Sequence, residues 1–260
     1  MNKTFYLFIF LLVINNACKP KEKEIVIINK TKHIDIENIN NGNFIDSIKL
    51  SINFKPQGNY NTIKTKLISD RSYFKKLYER IPNKAIDSAS KYLYSKLLND
   101  IVPHWYNTTW DFNGHTNIPK QGDIACGYFV STTLKHLGFN LNRYKMAQQA
   151  GLIEAQVLQH KSQLKMYSNL PFPQLKEKIN NTYTNGIYFV GLDNHVGYIL
   201  IKDKELYFLH SSYYDDKVMI ELAETSPCFV SNFYVFAEIT TNKELVKHWI
   251  LDKKLSIPSH

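Results

Sequence analysis

Cys126 stands at the mouth of a helical pattern in QGDIACGYFVSTTLKHLGF, Gln121 to Phe139. Two histidines follow in a strand-rich region, His195 opening HVGYILI and His210 closing ELYFLH. The thiolate is the reactive form of cysteine, and a free thiol with a pKa near 8.5 is mostly protonated at neutral pH. A helix N-terminus and a neighbouring imidazolium both lower that value. Cys126 has the first by position, and His195 supplies the second if the strands pack against the helix. The two histidines lie fifteen positions apart with the turn signal KDKE between them, so a short-looped hairpin sets them side by side at its open end. His210 can then orient His195, and the amides at the helix start can meet a developing oxyanion. Nucleophile, base and orienting group, in that chain order, make a complete acyl-transfer apparatus. A lone cysteine in an apolar helix is more often core packing, so it is the set that points to chemistry.

The elements that must position these groups are legible as two regimes. From Ser69, apolar residues recur at helical spacing. Tyr73, Phe74, Leu77 and Ile81 follow an N-cap at Ser69 or Asp70; Ile86, Ala89, Tyr92, Leu93, Leu97 and Leu98 form a second run that Pro103 should end. The next stretch, His104 to Asp123, is rich in Asn, Gly, Pro and aromatics and reads as a loop, with Asp111 and His115 exposed in it. Phe129, Val130, Thr133, Leu134 and Leu137 continue the helix of Cys126 until Gly138 stops it, with His136 turned to the surface. Residues 142–163 and 172–180 add two helices around the PFP break. From Gly186 the period falls to two, giving five strand-like runs separated by short turns, and NKELVKHWILDKK closes the chain as a helix. Helices first and an antiparallel meander after them predict an α+β fold.

The stretch TWDFNGHTNIPKQGDIACGYFVSTTLKHLGF, followed by NHVGYILIKDKELYFLHSS, resembles the NlpC/P60 cysteine peptidases of bacterial cell walls, a papain-like group related to the CHAP amidases. The likeness covers Thr108 to Ser212, less than half of the chain. It implies an α+β, papain-like fold with N-terminal helices and the nucleophile helix packed on an antiparallel sheet of about five strands. It also implies Cys126 as nucleophile, His195 as general base and His210 as the orienting residue. Trp110 and Gly114 match the upstream aromatic and glycine, and with Tyr128 they are the expected substrate-binding positions. Ala125 replaces the Asp that precedes the nucleophile in that family, Gly127-Tyr128 replaces Ser-Gly, and the segment between helix and sheet is longer. The implied reaction is amide hydrolysis in peptidoglycan peptides, without a cofactor.

The N-terminus, MNKTFYLFIFLLVINNACKPKEKE, has Lys3, an apolar run from Phe5 to Ile14, and a small residue before Cys18. That is the plan of a signal peptide, too short to span a bilayer as a mature helix. The small residue before Cys18 resembles a bacterial lipobox, with Asn15 where that motif usually has Leu. The expected division is a lipoprotein signal over 1–17, a tether and N-terminal arm over 18–60 (with short strands or extended chain between Ile25 and Phe54), and a hydrolase domain over 61–260. The protein is then exported and anchored to a membrane through lipid on Cys18, at the periplasmic or outer-membrane face. Of the three cysteines, Cys126 and Cys228 are left to form one disulfide or to stay free.

A formal charge of +9 is spread over scattered lysines with no basic run interleaved with aromatics, which argues against nucleic acid and suits an anionic membrane or cell-wall polymer. Without a CxxC or HExxH pair, no metal is expected on Cys126, His195 and His210. Two other readings stay open: a non-catalytic surface lipoprotein that binds cell-wall material or a partner, and an acyltransferase using the same Cys–His groups. The sequence is silent on oligomeric state.

Overall fold

The structure, a computed structural model, describes residues 52–258. The expectations for the signal segment, Cys18 and the arm up to residue 51 lie outside the described residues.

Helix α1 (Tyr60–Arg80) starts nine residues before the expected cap. Asn59 caps it, its side chain accepting from the Asn61 and Thr62 amides. Ser69 is therefore interior, and Tyr73 faces solvent while Leu67 and Phe74 are buried. Ile52 is already buried in the core, so packing begins ahead of the boundary drawn at residue 60.

Helix α2 (Pro82–Lys96) runs into a π-helical turn, Leu97–Ile101, and a short helix α3 (Val102–Trp105). Pro103 does not end the run where the sequence suggested. The wide turn bonds the Val102 amide to the Leu97 carbonyl, and Pro103 falls in the first turn of α3, where its missing N–H is not needed.

Helix α4 (Cys126–His136) follows the long loop, and Gly138, at φ +102°, ends it in the left-handed conformation that glycine adopts without strain. Then come α5 (Arg143–Ala147), α6 (Gly151–Leu158), strand β1 (Lys165–Ser168) and α7 (Phe172–Thr182). Strands β2 (Gly186–Leu192), β3 (Val196–Lys202), β4 (Glu205–Ser212), β5 (Lys217–Leu222) and β6 (Phe233–Glu238) precede α8 (Lys243–Ile250).

The sheet is antiparallel throughout, ordered β1-β6-β2-β3-β4-β5. The five expected strands form it together with β1, four residues whose alternation is too short to stand out from its surroundings. Both faces are covered, which is why β2 is buried at every position. On one face, Phe189, Tyr198, Leu200 and Leu209 pack with Phe129 and Val130 of α4 and with the N-terminal helices. On the other, Ile199, Phe208 and Phe236 pack with Leu175 and Ile179 of α7. The architecture is α+β. Among the described residues no helix is long and apolar enough to cross a membrane.

Candidate active site

Three ties set α4 against the sheet. The Tyr198 hydroxyl bonds the Val130 carbonyl at 3.0 Å and the Thr133 hydroxyl at 2.7 Å. The Ser211 hydroxyl donates to the Ile124 carbonyl at 2.7 Å, fixing the chain just before Cys126 against β4. Together they bring the start of α4 to the start of β3, where the Val196 amide donates toward the Cys126 sulfur.

His195 sits at the end of the β2–β3 turn, whose Leu192 amide bonds the His195 carbonyl at 2.8 Å. Asp193 pins that turn, accepting from the Ser231 hydroxyl at 2.8 Å and the Asn232 amide at 2.7 Å. In the β3–β4 register Tyr198 faces Leu209, so continuing it sets His195 and His210 diagonally on one face. Gly197 lies between them. A Cβ there would come 2.6 Å from the Phe208 ring and 3.0 Å from the His210 Cβ, so only glycine lets the two strands bring their histidines this close.

His195 Nε2 lies 2.8 Å from His210 Nδ1, and His210 Nε2 lies 3.0 Å from Glu221 Oε1. The same Glu221 oxygen accepts from the Ser226 hydroxyl at 2.5 Å. An oxygen accepting two bonds is the unprotonated one, so His210 carries its proton on Nε2. Its Nδ1 then accepts from His195 Nε2–H, which leaves the lone pair of His195 on Nδ1. Glu221 was not picked out in the sequence. Its one signal is an acid inside the apolar run KVMIEL, and register alone tells which residue it serves: Phe208 faces Glu221 and Met219 faces His210, so Glu221 is diagonal to His210.

The electrostatics differ from expectation. The amides of Val196, Gly127 and Cys126 favour the Cys126 thiolate, but burial outweighs them and pushes the thiol up to about 11. Burial also holds His195 well below its ordinary value and His210 down to about 3. Burial thus favours a neutral thiol and neutral imidazoles over the ion pair that the helix terminus suggested. Both Cys126 and Cys228 are free.

The other expected residues fall in different places. Trp110 is half-buried, 6.2 Å from the exposed Tyr213 ring, which in turn lies edge-on 5.1 Å from His195. Its enclosed indole N–H has no partner among the described residues. Gly114 is buried: a Cβ there would come 2.6 Å from the backbone at Asp123 and Ile124, and its carbonyl accepts from the Ala125 amide. It shapes the approach to Cys126 and presents no face to a ligand. Tyr128 packs instead with Tyr144, His115 and the Arg143 guanidinium. His136 is a correction. It is buried, bonded to the Tyr60 hydroxyl at 2.9 Å and to Asn117 Oδ1 at 3.1 Å, because α1 covers the helix face that the sequence left open.

A second acid is buried near the thiol. Glu154 of α6 lies under Gly127, where a Cβ would approach its Oε1 to 3.1 Å. Its Oε2 has no partner among the described residues, and burial raises its carboxyl well above the ordinary range.

Fold and site together define an α+β protein in which the sulfur of a helix-terminal cysteine meets the Val196 amide, next in sequence to the His195 that heads a His–His–Glu hydrogen-bonded chain. No family model, curated protein or solved structure matches the sequence.

Proposed function

We propose that the protein is a cysteine hydrolase of papain-like, NlpC/P60 type that cleaves amide bonds in peptidoglycan peptides, exported and held at a membrane by lipid on Cys18. The observation that carries the reading is the proton chain: Glu221 fixes the tautomer of His210, which fixes that of His195 and leaves Nδ1 as a base. As the Cys126 sulfur attacks the carbonyl carbon, its proton passes to His195 Nδ1. The imidazolium formed is held by His210, and the amides at the start of α4 meet the oxyanion. Collapse breaks the C–N bond, and His195 returns the proton to the leaving amine. Water, deprotonated by His195, then cleaves the thioester to a carboxylic acid and restores the thiol.

The test is incubation of purified protein with muropeptides, following new amino groups and product masses, beside Cys126→Ser and His195→Ala. Release of amine by the wild type alone supports the proposal. No release by any of the three overturns it in favour of a binding protein. A product bearing a transferred acyl group in place of the free acid overturns hydrolysis in favour of acyl transfer.

A further inference from the structure

Cys228 lies on the same face of the sheet as the two imidazoles, since His210 is two residues from Phe208 and His195 four from Ile199, both in the core on the α7 face. Cys126 packs with the core on the α4 face, whereas Cys228 belongs to the core on the α7 face, in the short turn Pro227–Phe229. His195, His210 and Cys228 are all buried, and one ligand atom from each lies within 4.8 Å of the other two.

We propose that His195, His210 and Cys228 form a binding site for a zinc-type divalent cation. Two imidazoles and one thiolate are the donor set that a borderline-soft cation prefers over carboxylate oxygens. Bonds of about 2.0–2.1 Å to nitrogen and about 2.3 Å to sulfur in a tetrahedral site put ligand atoms about 3.3–3.6 Å apart. The 2.8 Å between His195 Nε2 and His210 Nδ1 must therefore open slightly. The supporting groups are already in place. His210 donates its remote N–H to the Glu221 carboxylate, the arrangement that fixes and strengthens a metal-bound imidazole. Burial raises the Cys228 thiol above its ordinary range, and against that the amides of Tyr213 and Tyr214 and the Ser212 hydroxyl group, 3.5 Å away, favour the thiolate that a cation would complete.

Binding releases the Cys228 thiol proton and moves the His195 proton from Nε2 to Nδ1, while His210 already offers Nδ1 as a lone pair. His195 then has no base to offer Cys126, so the cation silences the thiol. That consequence rests on the proposed hydrolase chemistry; the binding itself does not.

The experiment is titration of the purified protein with Co2+, reading the thiolate-to-metal charge-transfer band, in wild type, Cys126→Ser and Cys228→Ser. The expected result is one equivalent bound, competed off by Zn2+, with the band kept in Cys126→Ser and lost in Cys228→Ser. Absence of the band in wild type overturns the site. So does its survival in Cys228→Ser or its loss in Cys126→Ser, which would move the metal to the other thiol or elsewhere. Should Cys228→Ser fail to fold by circular dichroism, X-ray absorption of the Zn2+-loaded wild type decides: two imidazoles and one sulfur support the site, and any other shell overturns it. Muropeptide assays without metal report separately on the hydrolase reading.

Discussion

His195 and His210 meet at nearly a right angle, ring planes 89° apart, with Nε2 of one 2.8 Å from Nδ1 of the other. The His210 ring is held by stacking on Phe208, with centroids 4.0 Å apart and planes 12° apart, and by Glu221 beyond it. Orientation of His195 is thus inherited from a strand two removed from its own.

Glu221 should act through His210. Glu221→Ala leaves the His210 Nε2–H and the Ser226 hydroxyl without their acceptor, at about 1–3 kcal/mol of stability, and frees the tautomer. A loss of about 10²-fold in kcat is expected with KM little changed, and Glu221→Gln, which keeps an acceptor oxygen, should recover much of it. Equal losses in kcat from both substitutions would contradict a tautomer-fixing role.

The Cys126 thiol, pushed up to about 11 by burial, should alkylate slowly at neutral pH. Its rate with iodoacetamide, followed by peptide mapping so that Cys228 is scored separately, should climb about tenfold per pH unit well past pH 9. A plateau below pH 8 would mean that the thiolate forms at rest, contrary to the general-base mechanism.

Glu154 should lower stability as pH rises. Its folded carboxyl is raised above the ordinary value of 4.5. Below that pH both states hold the proton; above it the unfolded chain ionises first, and stability falls until the folded group ionises too. Glu154→Gln should therefore gain little in Tm at pH 4 and progressively more toward pH 8, with a gain above about 1 kcal/mol at neutrality. A pH-independent change in Tm would show that the carboxyl is not held neutral.

His136 has the opposite sign. Burial first, then the charges of Lys64, Arg143 and Lys135, bring it down to about 3, so its contribution is present above the ordinary imidazole value of 6.5 and is lost as pH falls toward 3. Relative to wild type, His136→Gln should lose less stability between pH 7 and pH 5, by at most about 1.4 kcal/mol per pH unit. Denaturant unfolding at the two pH values measures it, and parallel losses would rule the effect out. Glu154 and Glu221, common to both proteins, cancel in the comparison.

Periodicity alone located α4, the turn glycine after it, and the five long strands, because each buries one face or both over enough residues to leave a pattern. It misplaced the start of α1 and the end of the second helix. There the deciding groups were one asparagine cap at Asn59 and a π turn that shelters Pro103, neither of which alters the apolar spacing. The short β1 left no pattern, since its alternation runs over only four residues.

For the site, the sequence determined which groups could react: a cysteine at a helix start and two histidines flanking a hairpin turn. Tertiary structure decided their state and company. Burial sets the thiol and the imidazoles neutral, and strand register brings in Glu221. The sheet's second face adds Cys228, and α1 encloses His136. Each of these depends on what lies across the fold from a residue, and side chains distant in sequence share no periodicity through which a linear reading could pair them.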